Sequence, residues 1–473
     1  MPDHLSVMKF GGTSVGDAVR IRNVAAIIAG SSRRSEVVVI VSAMCDVTNK
    51  LLEAATEAES GNWDRASAIF QQLLARHLSV VEDLLNPGVE RSAVSLFIRN
   101  SFRETESICR DAASSRHLSA ADLDFVASLG ERVCAPMVAA AVSEFALPSE
   151  AVAATQLIVT DGNYGRAEPL PEATRDRCES RLRSMLRRGV VPVVTGFLGA
   201  TIDGVLTTLG RGGSDYSATI VGAAMNADEV VIWTDVDGVL TADPKIVPQT
   251  STIPEISYVE ASNLASFGAK VLHPKTLRPV MESDIPVWIR NSFSPERYGT
   301  RITPMGVARN GKVMAVTAIS DARLITISPL PALPVTNLLS RVEATFAAVC
   351  TEPLLFMHSL SQADVCLAIG PSIAHKLSEA LLEEFSDELS RGAIERVALH
   401  SDVAVVTLVG QCLHLDPAIS ERATAALHRD DMDIIATGTG TSGCSLSVAV
   451  AQESAKAALL TLHNEFHLHS SHS

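Results

Sequence analysis

Residues 5–17 read LSVMKFGGTSVGD, and residues 36–43 read EVVVIVSA. Each segment contains a run of β-branched and apolar side chains, which is typical of strands buried on both faces of a parallel sheet. Residues 15–28, between them, carry apolar side chains at helical spacing. A strand, a helix and a strand in this order predict a right-handed parallel unit. The sequence therefore predicts an α/β fold that is established within the first 43 residues.

The same rhythm continues to about residue 305. Residues 50–145 are predicted to be mostly helical, because apolar side chains such as those of Ile69, Leu73, Leu74 and Leu78 fall on one helical face. Further strands are predicted at 156–160, 190–196, 229–234 and 286–290. We expect residues 1–305 to form one three-layer α/β domain with a mostly parallel sheet.

The remaining residues follow a different pattern, in which a strand–helix–strand–strand–helix order occurs twice. Two such units predict a pair of ferredoxin-like α+β repeats, at residues 315–400 and 401–473. A generic α+β dimerisation module has the same order, so the pattern leaves the role of the repeats open.

The overall charge limits the classes of partner. Lys and Arg total 39 and Asp and Glu total 54, so the formal net charge is −15. This balance argues against wholesale binding of nucleic acid or of an anionic membrane. Because the protein as a whole repels anions, a few local cations would have to hold an anionic substrate.

Eight cysteines are scattered along the chain without Cys-x-x-Cys or zinc-finger spacing, which favours buried, reduced thiols. No metal-binding cluster is predicted. The N-terminal MPDHLS lacks the features of a signal peptide, and no apolar run approaches the ~18 residues that span a bilayer. We therefore expect a soluble cytoplasmic protein.

Two glycine-containing loops could bind anions. Lys9 and the sequence Gly11-Gly12-Thr13-Ser14 lie between the first predicted strand and helix, where backbone N–H groups and the helix N-terminus favour a phosphate. This segment is not a Walker A loop, and a purely structural turn explains it equally well. Residues 209–215, LGRGGSD, add an arginine fork and a second helix start. A surface turn is the weaker alternative for this second loop.

Three other segments are weaker signals when each is considered alone. WTDVDG at 233–238 ends a strand, where ligands of open α/β sheets bind, although a plain turn fits as well. FGAKVLHP at 267–274 contains a lysine of the kind that is usually a solvated charge. GTGTSG at 438–443 matches a dinucleotide fingerprint, but an alternating strand follows it, so a hairpin turn explains it better.

Considered together, five segments closely resemble the aspartate kinase family. They occur in the family's order and at its usual intervals, and the resemblance covers residues 5–305. The repeats that follow are similar to paired ACT domains in order and length. The long helical stretch before Gly130 and Glu131 is similar to the branch of the family that has lysine-sensitive members. The segments that carry the match are VMKFGGTSVGD (7–17), VSAMCDVTNKL (41–51), TLGRGGSDYSA (208–218), WTDVDGV (233–239) and FGAKVLHP (267–274).

The resemblance implies transfer of the ATP γ-phosphate to the β-carboxylate of L-aspartate. The product would be 4-phospho-L-aspartate, in the first step of lysine, threonine and methionine biosynthesis. By motif position, Lys9 would neutralise the moving phosphoryl group and Asp215 would orient that lysine. Arg211 would grip the substrate α-carboxylate, and Glu131 its α-ammonium group. Further substrate contacts are implied for Ser42, Thr48 and Ser214, and nucleotide contacts for Lys9, Gly11, Gly12, Thr13, Ser14, Thr234, Asp235, Lys245 and Lys270.

This reaction fits the residues that are present. An aspartate side chain has a pKa near ~3.9, so the nucleophile is ionised at neutral pH and needs no general base. The implied ligands are L-aspartate and ATP, with Mg²⁺ bridging the phosphates and no dedicated metal ligands from the chain. The alternatives are another amino-acid kinase of the same fold, acting on glutamate, carbamate or a nucleotide, and a catalytically silent amino-acid sensor. A dehydrogenase would rest only on the discounted glycine match.

The resemblance also implies an allosteric enzyme, with lysine or threonine as the effector at the ACT repeats. Paired α+β repeats usually associate through sheet edges, so we expect a homodimer or a higher homo-oligomer. The loop at 329–334 is rich in proline where the family usually has glycine, and 412–416 reads CLHLD, so feedback inhibition is a hypothesis. Leu240 and Lys245 replace a tyrosine and an arginine that family members often have. We expect a monofunctional kinase without a fused homoserine dehydrogenase.

Overall fold

The computed structural model describes two compact units, each built from two stretches of the chain. The first contains residues 1–238 and 275–304, and the second contains residues 239–274 and 305–473. Residues 239–274, which the sequence assigns to a catalytic domain of 1–305, therefore group with the second unit. The described residues are 4–269, 272–307, 311–330, 335–349, 355–358, 364–440 and 442–469.

Each unit contains both strands and helices. The strands are β1 (Leu5–Phe10), β2 (Glu36–Val41), β3 (Ser149–Val152), β4 (Val191–Thr195), β5 (Leu198–Ala200), β6 (Leu206–Thr208), β7 (Glu229–Thr234), β8 (Glu255–Ser257), β9 (Val287–Asn291), β10 (Thr300–Thr303), β11 (Lys312–Pro329), β12 (Leu355–His358), β13 (Val365–Ile369), β14 (Ile394–Gln411), β15 (Ala436–Thr439) and β16 (Ser445–Ala451). The helices are α1 (Ala18–Ser32), α2 (Val47–Glu59), α3 (Trp63–Leu84), α4 (Val89–Ser115), α5 (Ala120–Ala127), α6 (Leu129–Ser143), α7 (Pro171–Arg187), α8 (Gly213–Ala224), α9 (Tyr258–Ser266), α10 (Pro274–Met281), α11 (Val335–Val349), α12 (Ala374–Glu384), α13 (Ser386–Ser390), α14 (Pro417–Arg429) and α15 (Ala455–Glu465).

The sheet of the first unit is mostly parallel, as the sequence predicts. Its strands lie in the order β3-β4-β2-β1-β7-β9-β10. Strands β1, β2, β3, β4, β7 and β9 pair in parallel, and β10 pairs antiparallel with β9. Strand β1 is therefore central, with β2 on one side and β7 on the other. The loops that follow β1 and β7 consequently lie side by side at the carboxyl edge of the sheet, where ligands of open α/β sheets bind.

The alternation of side chains along β1 directs one charged residue away from the core. Met8 and Phe10 join the hydrophobic core that also includes Ile21 and Val24 of α1. Lys9 has the opposite orientation, because successive residues of a strand point to opposite faces. It thereby faces α8, which supplies Asp215.

One predicted strand of the first unit is wrong. Residues 156–160 form no strand, and within them only isolated bridges occur, such as that of Val159 with Ala200. The strand that pairs with β4 is instead β3. After β3 the hydroxyl of Thr195 accepts a hydrogen bond from the backbone N–H of Ala154 at 2.8 Å, where a short 3-10 turn interrupts the extended chain.

The helical layer α2–α6 confirms the predicted helical region between the second and third strands. One helical stretch of the described residues, Ala120–Ser143, is long and apolar enough by length and composition to cross a membrane. Within the structure, 83% of its most apolar 18-residue window is buried. A core helix of a globular domain has the same composition, so this feature is weak evidence for a membrane span.

The second unit contains a closed barrel with the strand order β11-β13-β12-β15-β16-β14. Two strands, β11 and β14, are each 18 residues long and run antiparallel across the whole barrel. In both, one half pairs with strands of the first repeat and the other half with strands of the second. The boundary predicted between the repeats, at residues 400 and 401, therefore lies inside one continuous strand.

The two repeats are nested in the chain. Residues 323–327 of β11 pair with β13, so the first repeat runs from there through α12 to the first half of β14. Its core contains Ile325, Leu338, Phe346 and Leu381. The second repeat begins with the second half of β14 and takes its fourth strand from residues 312–319, upstream of the first repeat. The first repeat is thus an insertion in the second, which the tandem division at 315–400 and 401–473 does not describe.

Candidate active site

Lys9 and Asp215 form an ion pair inside the first unit. The Lys9 Nζ and the Asp215 Oδ1 are 2.5 Å apart, and their side chains are 10% and 20% exposed. Strand β1 holds the lysine, and the first turn of α8 holds the carboxylate. The ammonium group is therefore fixed at the carboxyl edge of the sheet while part of it stays accessible.

The loop between β1 and α1 is shaped by close backbone contacts. The Gly11 N–H donates to the carbonyl of Trp233 at 3.2 Å, which joins the loop to the end of β7. A Cβ at Gly12 would lie 2.7 Å from the carbonyl oxygen of Ala43, so only glycine fits there. Among the described residues, the backbone N–H groups of Gly12 and Thr13 have no hydrogen-bond acceptor. These donors could bind a phosphate.

Asp17 caps the start of α1. The side chain of Asp17 accepts a hydrogen bond from the Arg20 N–H, and Ser14 does not cap the helix. The Ser14 hydroxyl instead lies 2.7 Å from the hydroxyl of Ser292. Ser292 in turn donates from its backbone and its side chain to the carbonyl of Thr234. Thr234 and Asp235 therefore lie beside the first glycine loop, as their predicted role as nucleotide contacts requires.

The second glycine loop leads directly into α8. Gly210 and Gly212 have φ values of +79° and +72°, in the left-handed region that favours glycine. Ser214 and Asp215, in the first turn of α8, have backbone N–H groups without an acceptor among the described residues. The guanidinium group of Arg211 likewise has no hydrogen bond or ion pair to any residue in the described part of the chain. This loop therefore offers free N–H donors and one free cation to an anion.

These groups line a cavity of about 490 Å³ in the first unit. Seven of the predicted site residues line its walls, and each of them has a predicted role in catalysis or in binding the amino-acid substrate. The structure thus brings together Lys9, Ser42, Thr48, Glu131, Arg211, Ser214 and Asp215. Gly11, Gly12, Thr13 and Ser14 follow Lys9 in the chain, in the loop at the end of β1.

Glu131 is the most perturbed acid of this cavity. It lies in the first turn of α6, is 4% exposed, and its Oε2 has no hydrogen-bond partner. Burial raises the pKa of Glu131 to about 8, against the opposing effects of a backbone hydrogen bond from Ala43 and the nearby charge of Lys9. A buried carboxyl group with a free oxygen is a site for a cation that enters with a ligand.

One predicted nucleotide contact belongs to the second unit, and another lies outside the described residues. Lys245 is exposed on a turn of the second unit, where its N–H donates to the Asp243 side chain at 2.9 Å. Lys270 lies outside the described residues. The FGAKVLHP motif is therefore described only at its ends.

The sequence analysis missed Asp124, which also lines the cavity. Its buried carboxylate accepts hydrogen bonds from the N–H groups of Gly165 and Thr208 and from the Thr208 hydroxyl. Burial raises the pKa of Asp124, and the three hydrogen bonds oppose that rise. The available signal was a lone Asp seven residues before Glu131 on a predicted helix, which by itself is not informative.

The site can neutralise two anions that must approach each other. Lys9, Arg211 and free N–H groups from both loops can neutralise a phosphate and a carboxylate, while Glu131 can hold an ammonium group. Within the described residues no group of three or more His, Cys, Asp or Glu side chains could hold a metal ion. Mg²⁺ is usually bound through substrate phosphates and one or two carboxylates. Asp215 ends the second glycine loop, and Asp235 follows β7, whose end is hydrogen-bonded to the first loop.

Comparison with known proteins agrees with this geometry. The amino acid kinase family matches residues 4–291, and an ACT domain family matches residues 406–466. Aspartokinase 1, chloroplastic, of Arabidopsis thaliana is 31% identical over 467 residues, which cover 97% of this chain and 80% of that protein. The crystal structure of E. coli aspartokinase III in complex with aspartate and ADP is 28% identical, with a TM-score of 0.81 and coverage of 98% and 99% of the two chains.

The chain spans about half the length of several other curated relatives. Bifunctional aspartokinase/homoserine dehydrogenase 2, chloroplastic, of Arabidopsis thaliana is 31% identical over 469 residues, which cover 98% of this chain and 51% of that protein. The match therefore includes both the catalytic unit and the ACT repeats. The chain belongs to the amino acid kinase family and, within it, to the aspartokinases.

Proposed function

We propose that this protein transfers the γ-phosphate of ATP to the β-carboxylate of L-aspartate. The observation that carries this proposal is the cavity, in which the Lys9–Asp215 pair lies beside the free guanidinium of Arg211 and the buried acid Glu131. A zwitterionic substrate satisfies both of the latter groups, whereas a nucleotide or carbamate acceptor leaves Glu131 without a cation. The aspartate and ADP held by E. coli aspartokinase III support the same reading.

The residues of the site account for the reaction without a general base. Arg211 would bind the α-carboxylate through its two-pronged guanidinium, and Glu131 would bind the α-ammonium group. The β-carboxylate, already ionised, would then approach the γ-phosphorus in line with the departing ADP oxygen. One carboxylate oxygen forms a bond to phosphorus as the bond from phosphorus to the ADP oxygen breaks, and ADP leaves with that electron pair.

Lys9 would supply the positive charge that this transfer requires. In the proposed complex its ammonium group neutralises the equatorial oxygens of the moving phosphoryl group, and Asp215 keeps it directed to that place. The free N–H groups of Gly12 and Thr13 would hold the phosphate chain. Because these donors are fixed before the substrate binds, they need no reorganisation during the reaction. Bound Mg²⁺ would add further neutralisation of the phosphates.

A coupled assay of ADP release from MgATP tests the proposal. We expect release that depends on L-aspartate and not on L-glutamate. Lys9→Ala should lower it by about a thousandfold. Lys50→Ala is the matched control, because Lys50 pairs with Glu53 at 2.7 Å and has no assigned role. ADP release that does not depend on added aspartate would contradict the assignment. ADP release that depends on glutamate would favour another kinase of the same fold.

Regulation, assembly and location are further parts of the proposal. The ACT repeats support an amino-acid effector, lysine or threonine, and a homodimer or larger homo-oligomer. Titrating each amino acid into the assay tests the first point, and no loss of activity at millimolar concentrations would remove it. Sedimentation tests the second. The cytoplasm as the place of action, and the entry into lysine, threonine and methionine synthesis, stay predictions.

A further inference from the structure

Three hydrogen bonds converge on the buried carboxylate of Asp124. Its Oδ2 accepts from the N–H of Gly165 at 3.0 Å and from the N–H of Thr208 at 2.7 Å, and its Oδ1 accepts from the Thr208 hydroxyl at 2.8 Å. The residue is 4% exposed. Burial of a carboxylate is unfavourable unless donors replace water, so this arrangement is specific.

The hydrogen-bond donors belong to the two chain segments that bound the cavity. Thr208 is the last residue of β6, and Arg211 follows three positions later. Gly165 lies in the loop after residue 160, and a Cβ at Gly210 would be 2.9 Å from the Gly165 carbonyl oxygen. The N–H of Ala167 also donates to the Thr208 carbonyl at 2.9 Å. Asp124 thus joins α5 to both segments at the point where the arginine loop begins.

The short loop that carries Arg211 is also held at its two ends. The Leu209 N–H donates to the Phe197 carbonyl at 2.9 Å, and α8 begins at Gly213. Between these two fixed points only three residues remain, and Arg211 is the central one. Asp124 therefore holds the segment next to this short loop, and the Arg211 guanidinium has no partner of its own among the described residues.

We propose that Asp124 is a positioning residue, which holds the backbone on both sides of Gly210 so that Arg211 meets the α-carboxylate of the amino-acid substrate. The proposal rests on the proposed function, because it assigns the effect to the affinity for aspartate. Both oxygens of Asp124 accept hydrogen bonds from these two segments, and the proposal assigns the residue no direct contact with the substrate. Its effect is therefore indirect and should fall on one substrate.

The hydrogen-bond pattern predicts which substitution is harmless. Asparagine can place its carbonyl oxygen where Oδ2 now accepts from the two N–H groups. Its amide can then donate to the Thr208 hydroxyl, because a hydroxyl group accepts as well as it donates. Asp124→Asn therefore keeps all three contacts, whereas Asp124→Ala loses all three. Thr208→Val removes only the hydroxyl and keeps the chain's own N–H donor at Thr208.

The test measures steady-state kinetics of the full chain with each substrate varied in turn. We expect Asp124→Ala to raise the KM for aspartate at least tenfold and to change the KM for ATP less than twofold. Asp124→Asn should stay within about twofold of the unchanged protein in both, and Thr208→Val should fall between the two variants. Asp122→Asn is the control, because Asp122 lies on the same helix and accepts from Ser119 near its start.

Hydrogen exchange gives a second result that does not depend on the substrate. The amide hydrogens of Gly165 and Thr208 should exchange at least tenfold faster in Asp124→Ala, and their exchange rates should be unchanged in Asp124→Asn. The proposal would be overturned if Asp124→Ala raised the KM for aspartate and the KM for ATP equally, or if it left the KM for aspartate normal. If the unchanged protein showed no aspartate-dependent release of ADP, the proposed function would fail, while the exchange result would still report whether Asp124 orders the two segments.

Discussion

Binding of aspartate should release a proton from Glu131, and the pH controls how much is released. Burial raises the pKa of this acid to about 8, so the free site is mostly protonated at pH 7. The ammonium group of the substrate favours the ionised form. Binding therefore requires loss of the proton, and the direction of the effect is a gain in affinity as the pH rises toward 8.

The size of the effect follows from the shift. At pH 7 a group with a pKa about one unit higher is roughly 90% protonated, so about 0.9 proton should be released for each aspartate bound. Deprotonation at that pH costs on the order of 1 kcal/mol, which corresponds to roughly tenfold weaker binding than with the ionised acid. At pH 8.5 the expected release falls to about 0.25 proton.

Isothermal titration calorimetry measures this release directly. Aspartate is titrated at one pH into the protein in buffers of different ionisation enthalpy, and the slope of the observed enthalpy against the buffer enthalpy gives the number of protons. Glu131→Gln, the matched control, should bind more weakly and release none. No proton release at pH 7 would show that Glu131 is already ionised and would refute the reasoning, and so would release that Glu131→Gln retains.

Four other predictions rest on single contacts. Lys9→Ala should lower kcat by about a thousandfold in a chain that still folds, as expected for a charge that acts on the transition state, and near-normal turnover would exclude that role. Arg211→Ala should raise the KM for aspartate by roughly 10- to 100-fold, the effect of losing a charge-assisted pair, and a change confined to ATP would contradict this. Gly12→Ala should weaken ATP binding because its Cβ would lie 2.7 Å from a backbone carbonyl oxygen, whereas Gly30→Ala, with open space around it, should not. Burial lowers the pKa of His77 to about 4, so the unfolded chain binds the extra proton and stability should fall as the pH drops from 6.5 toward 4. At pH 5 the loss should be about 2 kcal/mol in urea unfolding, and it should be absent in His77→Leu.

Local sequence patterns predicted most strands of the first unit well because those strands are short and apolar. β7 has the predicted bounds, and β1 and β4 lie within a residue of them. The loops that follow such strands of a parallel sheet must meet at one edge, so Lys9 and the residues after Thr234 could be placed together before the fold was known. The pairing of Lys9 with Asp215 was implied only by the family resemblance.

The parts that sequence patterns missed depend on contacts between distant segments. Asp124 acquires its place through Gly165 and Thr208, which lie 41 and 84 residues away in the chain. The fourth strand of the second repeat comes from residues 312–319, ahead of the first repeat. A search for sequence repeats compares successive segments of the chain, so it cannot detect a strand that comes from ahead of the first repeat. Pairing in a sheet is set by three-dimensional packing, not by order along the chain.

The most direct test of the central claim follows an oxygen atom. L-aspartate with ¹⁸O in both β-carboxylate oxygens is incubated with MgATP and the protein in the presence of hydroxylamine, which attacks the acyl carbon and releases phosphate together with the bridging oxygen. If the β-carboxylate attacks the γ-phosphorus, each phosphate formed should carry one ¹⁸O, and an aspartyl hydroxamate should appear in equal amount. Phosphate without label would show that water, and not aspartate, receives the phosphoryl group, and would contradict the account.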